Sequence, residues 1–143
     1  MKLETIIATQ HWFDGEVNGN PLALLLVFNG VRLLKLRGAR NGFAMLIDNE
    51  PLDAPLDMKE CGKTENADVV QSLFPMLYHA DVSSVESLIL NAQQVGVRLL
   101  IEEGEAYYFW NENDELGWGD EATFACHPWL NGDPPKVGDH IVI

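Results

Sequence analysis

The chain has 143 residues, 47% hydrophobic and 22% charged, a balance that supports a buried core and excludes a disordered tract. Two cysteines exclude the dense disulfide framework of small secreted domains. The net charge of −13 is uneven, with five basic and three acidic groups in residues 1–47 and four basic and nineteen acidic in 48–143. Such a field opposes nucleic-acid phosphates and anionic membranes and draws in basic partners.

In chain order, residues 3–9 read as a strand and Asp14-Gly15 as a turn. Residues 22–28 and 31–37 form a hairpin about Asn29-Gly30, because a two-residue type I′ turn takes positive φ at both positions and Asn-Gly supplies it. A helix across 22–37 competes, since Leu is a good helix former, but Gly30 at its centre costs about 1 kcal/mol relative to Ala. Asn41-Gly42 then turns the chain into a strand over 43–48, which completes an antiparallel meander. From 50 to 64 the pattern dissolves into Pro51, Asp53, Pro55, Asp57 and Gly62, the chemistry of a connector.

Val70, Leu73, Phe74 and Leu77 share one helical stripe, which Pro75 breaks. Ser83 and Glu86 form a capping box ahead of Val85, Leu88, Ile89, Ala92 and Val95, and Gly96 follows, so the spacing predicts a helix over 83–95. Residues 97–102 and 106–110 flank Glu103-Gly104-Glu105 as a second hairpin. A polar loop over 111–115 leads to short strands at 121–126 and 136–143, the last turning at Val137-Gly138-Asp139. This order predicts a single α+β domain over 1–143, an antiparallel sheet in two hairpin or meander groups packed by one or two helices between them.

The first apolar run, 6–8, is too short for a signal-peptide core, and the longest, 22–28, is far below the roughly 20 residues that span a bilayer. The expectation is a cytoplasmic protein with Cys61 and Cys126 reduced.

Metal chemistry finds little support. Asn111-x-Asn113-x-Glu115 has the start of a calcium loop, but Leu116 stands where Gly is required and Ala122 where a bidentate Glu is required. Cys126 and His127 are adjacent, and no second pair lies at zinc spacing. There is no Gly-x-Ser-x-Gly elbow and no glycine-rich phosphate loop, and His11, His79, His127 and His140 are scattered. No catalytic residue, metal or cofactor is therefore assigned. Arg32, Lys35, Arg37 and Arg40 read as charges at a hairpin edge that discourage sheet-to-sheet pairing, or as partners for the acidic segment.

That segment, 99–135, holds nine carboxylates (Glu102, Glu103, Glu105, Glu112, Asp114, Glu115, Asp120, Glu121 and Asp133), no Lys or Arg, and seven of the thirteen aromatics. Charge steering beside aromatic anchors is the mixture that tight protein interfaces use. The expectation is a non-catalytic acidic binding protein of the bacterial immunity or inhibitor type, neutralising a basic toxin or nuclease. Tyr107, Trp110, Glu112, Asp114, Glu115, Trp118 and Asp120 are its expected contact residues, with neither nucleic acid nor membrane as partner. Two alternatives stand beside it. One is a small carbohydrate-binding or hydrolytic domain that sets Trp118 and nearby carboxylates in a cleft. The other is a homodimer that buries the aromatic segment.

Overall fold

The computed structural model describes residues 1–40, 42–129 and 132–143. Its regular structure is almost wholly antiparallel strand: β1 (Leu3–Phe13), β2 (Glu16–Val17), β3 (Ala23–Phe28), β4 (Arg32–Gly38), β5 (Met45–Asp48), β6 (Lys63–Asp68), β7 (Val82–Leu90), β8 (Gln93–Ile101), β9 (Ala106–Glu112), β10 (Glu115–Asp120) and β11 (Lys136–His140). Among the described residues there are also two short α-helices, α1 (Val70–Leu73) and α2 (Glu121–Cys126), and turns of 3-10 helix that include Lys59–Cys61 and Pro75–Leu77. One sheet runs β2-β1-β3-β4-β5 with β6 also on β1, and the other runs β10-β9-β8-β7-β11. The chain gathers into two compact units, one of residues 1–37, 47–80 and 143, the other of 38–46 and 81–142.

In the first unit a hairpin forms about Asn29-Gly30, with φ of 50° and 75°, but Phe28 pairs with Arg32, so three residues, Asn29, Gly30 and Val31, close it where a two-residue turn was expected. Its strands pair with β1 so that Ile6, Leu26 and Leu34 make one cross-strand row and Ala8, Leu24 and Leu36 the next. All six are buried, and each Leu contributes about 1.5–3 kcal/mol by leaving water. The opposite face carries Ile7, Leu25 and Lys35 in register. Lys35 is 9% exposed; its ammonium donates to the Pro51 carbonyl at 3.3 Å and pairs with Asp48 at 3.4 Å. The other three cations of that group, Arg32, Arg37 and Arg40, are exposed. The 70–77 segment breaks at Phe74, between α1 and the Pro75–Leu77 turn. The connector ends sooner than expected, because Lys63–Asp68 pairs along β1 from Ile7 to Trp12.

The second unit overturns the α+β expectation, since the helix expected over 83–95 is the hairpin β7–β8. The capping-box residues are spent across strands: Ser83 Oγ donates to the Leu100 carbonyl at 3.2 Å, and Glu86 accepts from Arg98. Asn91 and Ala92 close the hairpin at φ of 51° and 61°. Gly96 is no helix terminus but a close backbone approach, because a Cβ there would lie 2.1 Å from the Phe109 carbonyl oxygen. Residues 83–87 include three serines and Val85, poor helix formers that suit a pleated surface.

Two smaller expectations are corrected as well. Residues 121–126 are helical because Asp120 caps them, its Oδ1 accepting from the Thr123 amide at 2.9 Å. The last strand ends at His140 and leaves Val142 96% exposed, while the 137–139 turn is an irregularity of β11 pressed against Ser87. Of the Asn41-Gly42 turn, Asn41 lies outside the described residues and Gly42 has φ of 89°.

Candidate functional site

β9 begins at the residue that follows the acidic hairpin loop 102–105 and ends just before the turn Asn113-Asp114, so the strand separates two groups of carboxylates. Its successive side chains alternate between faces of the five-stranded sheet. Ala106, Tyr108 and Trp110 share one face with Leu88, Val95, Phe124 and Trp129 in a single apolar cluster. The Phe124 ring, from α2, lies flat on Tyr108 at 4.1 Å between centroids, and Trp129 meets Trp110 edge-on at 5.4 Å. Trp129 Nε1 donates to the Phe124 carbonyl at 3.1 Å, which satisfies its buried polar atom. Gly117, opposite Trp110 in the ladder, gives the indole its room: a Cβ there would lie 2.3 Å from Nε1.

Trp110 is thus 4% exposed, and Tyr107, on the other face beside Phe109, is 7% exposed. Both rings belong to the core of the unit. Burial, reinforced by the charge of Asp120, pushes the Tyr107 hydroxyl up to about 12. Trp118 is half-buried, Asp114 and Glu115 are exposed, and Glu112 is half-buried with its Oε1 2.9 Å from His127 Nε2.

Strand β10 divides the expected contact residues between its ends. Glu115 pairs with Glu112 at the turn end, whereas Asp120 pairs with Tyr107 at the other. The latter end also gathers Glu102, Glu103 and Glu105 from the β8–β9 loop, Glu121 from the start of α2, and Asp81, whose carbonyl accepts from the Glu102 amide at 2.9 Å. All but Asp120 are exposed there. Hydrogen bonds from the Thr123 backbone and then its side chain hold the Asp120 carboxyl below the usual carboxylate range. Among the described residues the ion pairs are Lys35–Asp48, Lys63–Glu65, Arg98–Glu86 and His127–Glu112, so only Glu112 of the nine late carboxylates enters one.

A polar row that sequence reasoning missed crosses this sheet, with His140, Glu86, Arg98, Tyr108 and Gly119 in consecutive register. Arg98 grips Glu86 Oε1 through Nη2 at 2.8 Å and Nε at 3.2 Å, and in the ladder it lies opposite Tyr108, whose hydroxyl donates to Glu121 Oε2 at 3.0 Å. This chain ties four elements together, but every member already has a partner. Its signal was the spacing of Glu86 and Arg98 about Asn91-Ala92, which becomes visible only once those two residues are read as a turn.

Asn111 was also missed. It is 1% exposed, and its amide donates to the carbonyls of Gly42 and Ala44 at 3.1 and 2.9 Å, clamping that loop to β9. Among the described residues, no group of three or more His, Cys, Asp or Glu side chains is placed to hold a metal. No helix among them is long and apolar enough to cross a membrane. Cys61 and Cys126 are free, exposed thiols.

The first unit has clefts among its described residues. One, of about 460 Å³, runs between Pro55–Asp57 and β6. Another, of about 490 Å³, is lined by Glu4, Asp68, Val70, Gln71, Ser72, Tyr78 and His79. Compared with protein-family models, curated proteins and solved structures, the chain matches none.

Proposed function

We propose that this chain is a non-catalytic binding protein of the immunity or inhibitor type that captures a basic protein, such as a toxin or nuclease domain, through an acidic surface. One observation carries the reading: Asp81, Glu102, Glu103, Glu105 and Glu121, drawn from separate segments, stand exposed at one end of the five-stranded sheet. Exposed like charges held together by hairpin geometry raise the local potential and accelerate encounter with a cationic surface. Such a field supplies on-rate and partner choice more than affinity.

The geometry also redistributes the expected contact residues. Asp120 belongs with this end, while Glu112, Asp114 and Glu115 form a second acidic group at the turn end, and Tyr107 and Trp110 hold the sheet together beneath. Trp118 keeps exposed surface and is the aromatic contact to test.

A partner captured from native lysate, once identified and purified, gives the test through its association rate across a range of ionic strength. A basic partner is expected, with kon falling as salt rises. At low salt, Glu102→Gln, Glu103→Gln and Glu105→Gln combined should lower kon by about tenfold, against a smaller effect of Glu112→Gln, Asp114→Asn and Glu115→Gln combined. A kon that neither set of amides changes at low salt overturns the proposal.

A further inference from the structure

We infer that the cleft lined by Glu4, Asp68, Tyr78 and His79 is a receptor for a guanidinium group, the arginine side chain of a basic partner. The identity of that partner rests on the function proposed above; the chemistry of the cleft does not. Four segments of the first unit build it: the start of β1, the end of β6, α1, and the two residues after the Pro75–Leu77 turn. Its volume of about 490 Å³ lies within the span of small-ligand sites.

Asp68 closes β6 opposite Ile7, and its Oδ1 accepts from the Val70 amide at 3.1 Å, which fixes the plane of the carboxylate. Glu4 brings a second carboxylate from β1. Its Oε2 would lie 3.3 Å from a Cβ at Gly30, so the missing side chain at position 30 leaves this oxygen its place. Tyr78 is 43% exposed, with its ring centroid 3.9 Å from that of His79. His79 is held in the left-handed region at φ 59°, a conformation that directs it beside the tyrosine at some backbone cost.

Neither Lys nor Arg lines the cleft. Two carboxylates beside an aromatic face match a guanidinium on both counts, because its planar fork bonds carboxylate oxygens while its face stacks on a ring. An ammonium meets only the first of these, and a neutral urea loses the charge of both.

The test titrates the full-length protein with L-arginine amide and, as an isosteric neutral control, L-citrulline amide, following backbone amide resonances. Saturable shifts at Ser72, Tyr78 and His79 are expected, with citrulline amide at least about tenfold weaker. The double change Glu4→Gln and Asp68→Asn keeps an acceptor for the Val70 amide and should lower arginine-amide affinity by about tenfold, whereas Glu102→Gln, Glu103→Gln and Glu105→Gln should leave it unchanged. Equal binding of the two probes, shifts confined to 102–105, or no shift at tens of millimolar probe overturns the assignment. If the cleft is silent yet a basic partner still associates in a hairpin-dependent way, the cleft assignment alone fails. If arginine amide saturates the cleft while both amide sets leave partner association untouched, the acidic docking surface alone fails.

Discussion

The hairpins β3–β4 and β7–β8 both turn through two successive residues of positive φ, the first with Val31 as a third loop residue, and reach that conformation by different means. Asn29-Gly30 adopts φ of 50° and 75°, which both residues tolerate well. Asn91-Ala92 adopts 51° and 61°, and there the second residue is an L side chain in a region that costs it roughly 1–2 kcal/mol. The first turn is written locally. The second is imposed by what surrounds it, namely nine-residue strands on each side, the Glu86–Arg98 pair across the ladder, and the close approach of Gly96 to β9. Where local preference and pairing disagree, the longer ladder with the buried neighbours wins.

If pairing governs β7–β8, damage far from its turn should exceed any change within it. Gly96→Val is the most severe test, because a Cβ 2.1 Å from the Phe109 carbonyl pries β8 from β9. A loss of about 3 kcal/mol, at the upper end of overpacking costs, is expected by urea denaturation. Arg98→Met comes next, at about 2 kcal/mol, less than the 3–5 for breaking a sealed pair because the Arg98 side chain is 23% exposed. Adding Glu86→Leu should recover much of that loss, since the stranded carboxylate is what makes the single change costly.

Gly30→Ala probes the locally written turn. It should cost about 1 kcal/mol for the left-handed conformation alone. Ala92→Gly should stabilise by only about 0.5 kcal/mol, the relief of the left-handed residue being offset by the freedom glycine adds to the unfolded chain. An Ala92→Gly gain larger than the Gly96→Val loss would reverse the comparison and make the turn the determinant. A last difference shows only in alkali. The Tyr107 hydroxyl is raised in the folded state, so the native protein keeps its proton after the unfolded chain has lost it, and stability falls as pH rises from about 10 through about 12. Tyr107→Phe should flatten that fall in a pH series of thermal melts.

The same contrast explains what was legible. Residues 22–37 declared their hairpin because the glycine needed by the turn stood between two apolar runs. Residues 83–95 hid theirs: Val85, Leu88, Ile89, Ala92 and Val95 satisfy a helical spacing by coincidence, and a β-irregularity between Leu88 and Ile89 blurs the period of two. β10 was missed because Glu115, Gly117, Gly119 and Asp120 are poor strand formers, held there by pairing with β9. For the candidate site, the sequence revealed the sign of the charge and the exposure of most late carboxylates. It did not reveal that one strand length divides Glu112 and Glu115 from Asp120, nor that Trp110 faces Phe124 and Trp129. Those facts depend on ladder register, which no local pattern in 99–135 encodes.

The uneven placement of indoles has an optical consequence. Trp12 belongs to the first unit, while Trp110, Trp118 and Trp129 belong to the second, two of them within an aromatic cluster beside Phe124. Intrinsic fluorescence is therefore mainly a record of the second unit's integrity. Far-ultraviolet dichroism, drawing on strands from both, registers the whole chain. Any denaturant range over which the two signals part company marks one half of the polypeptide melting while the other persists.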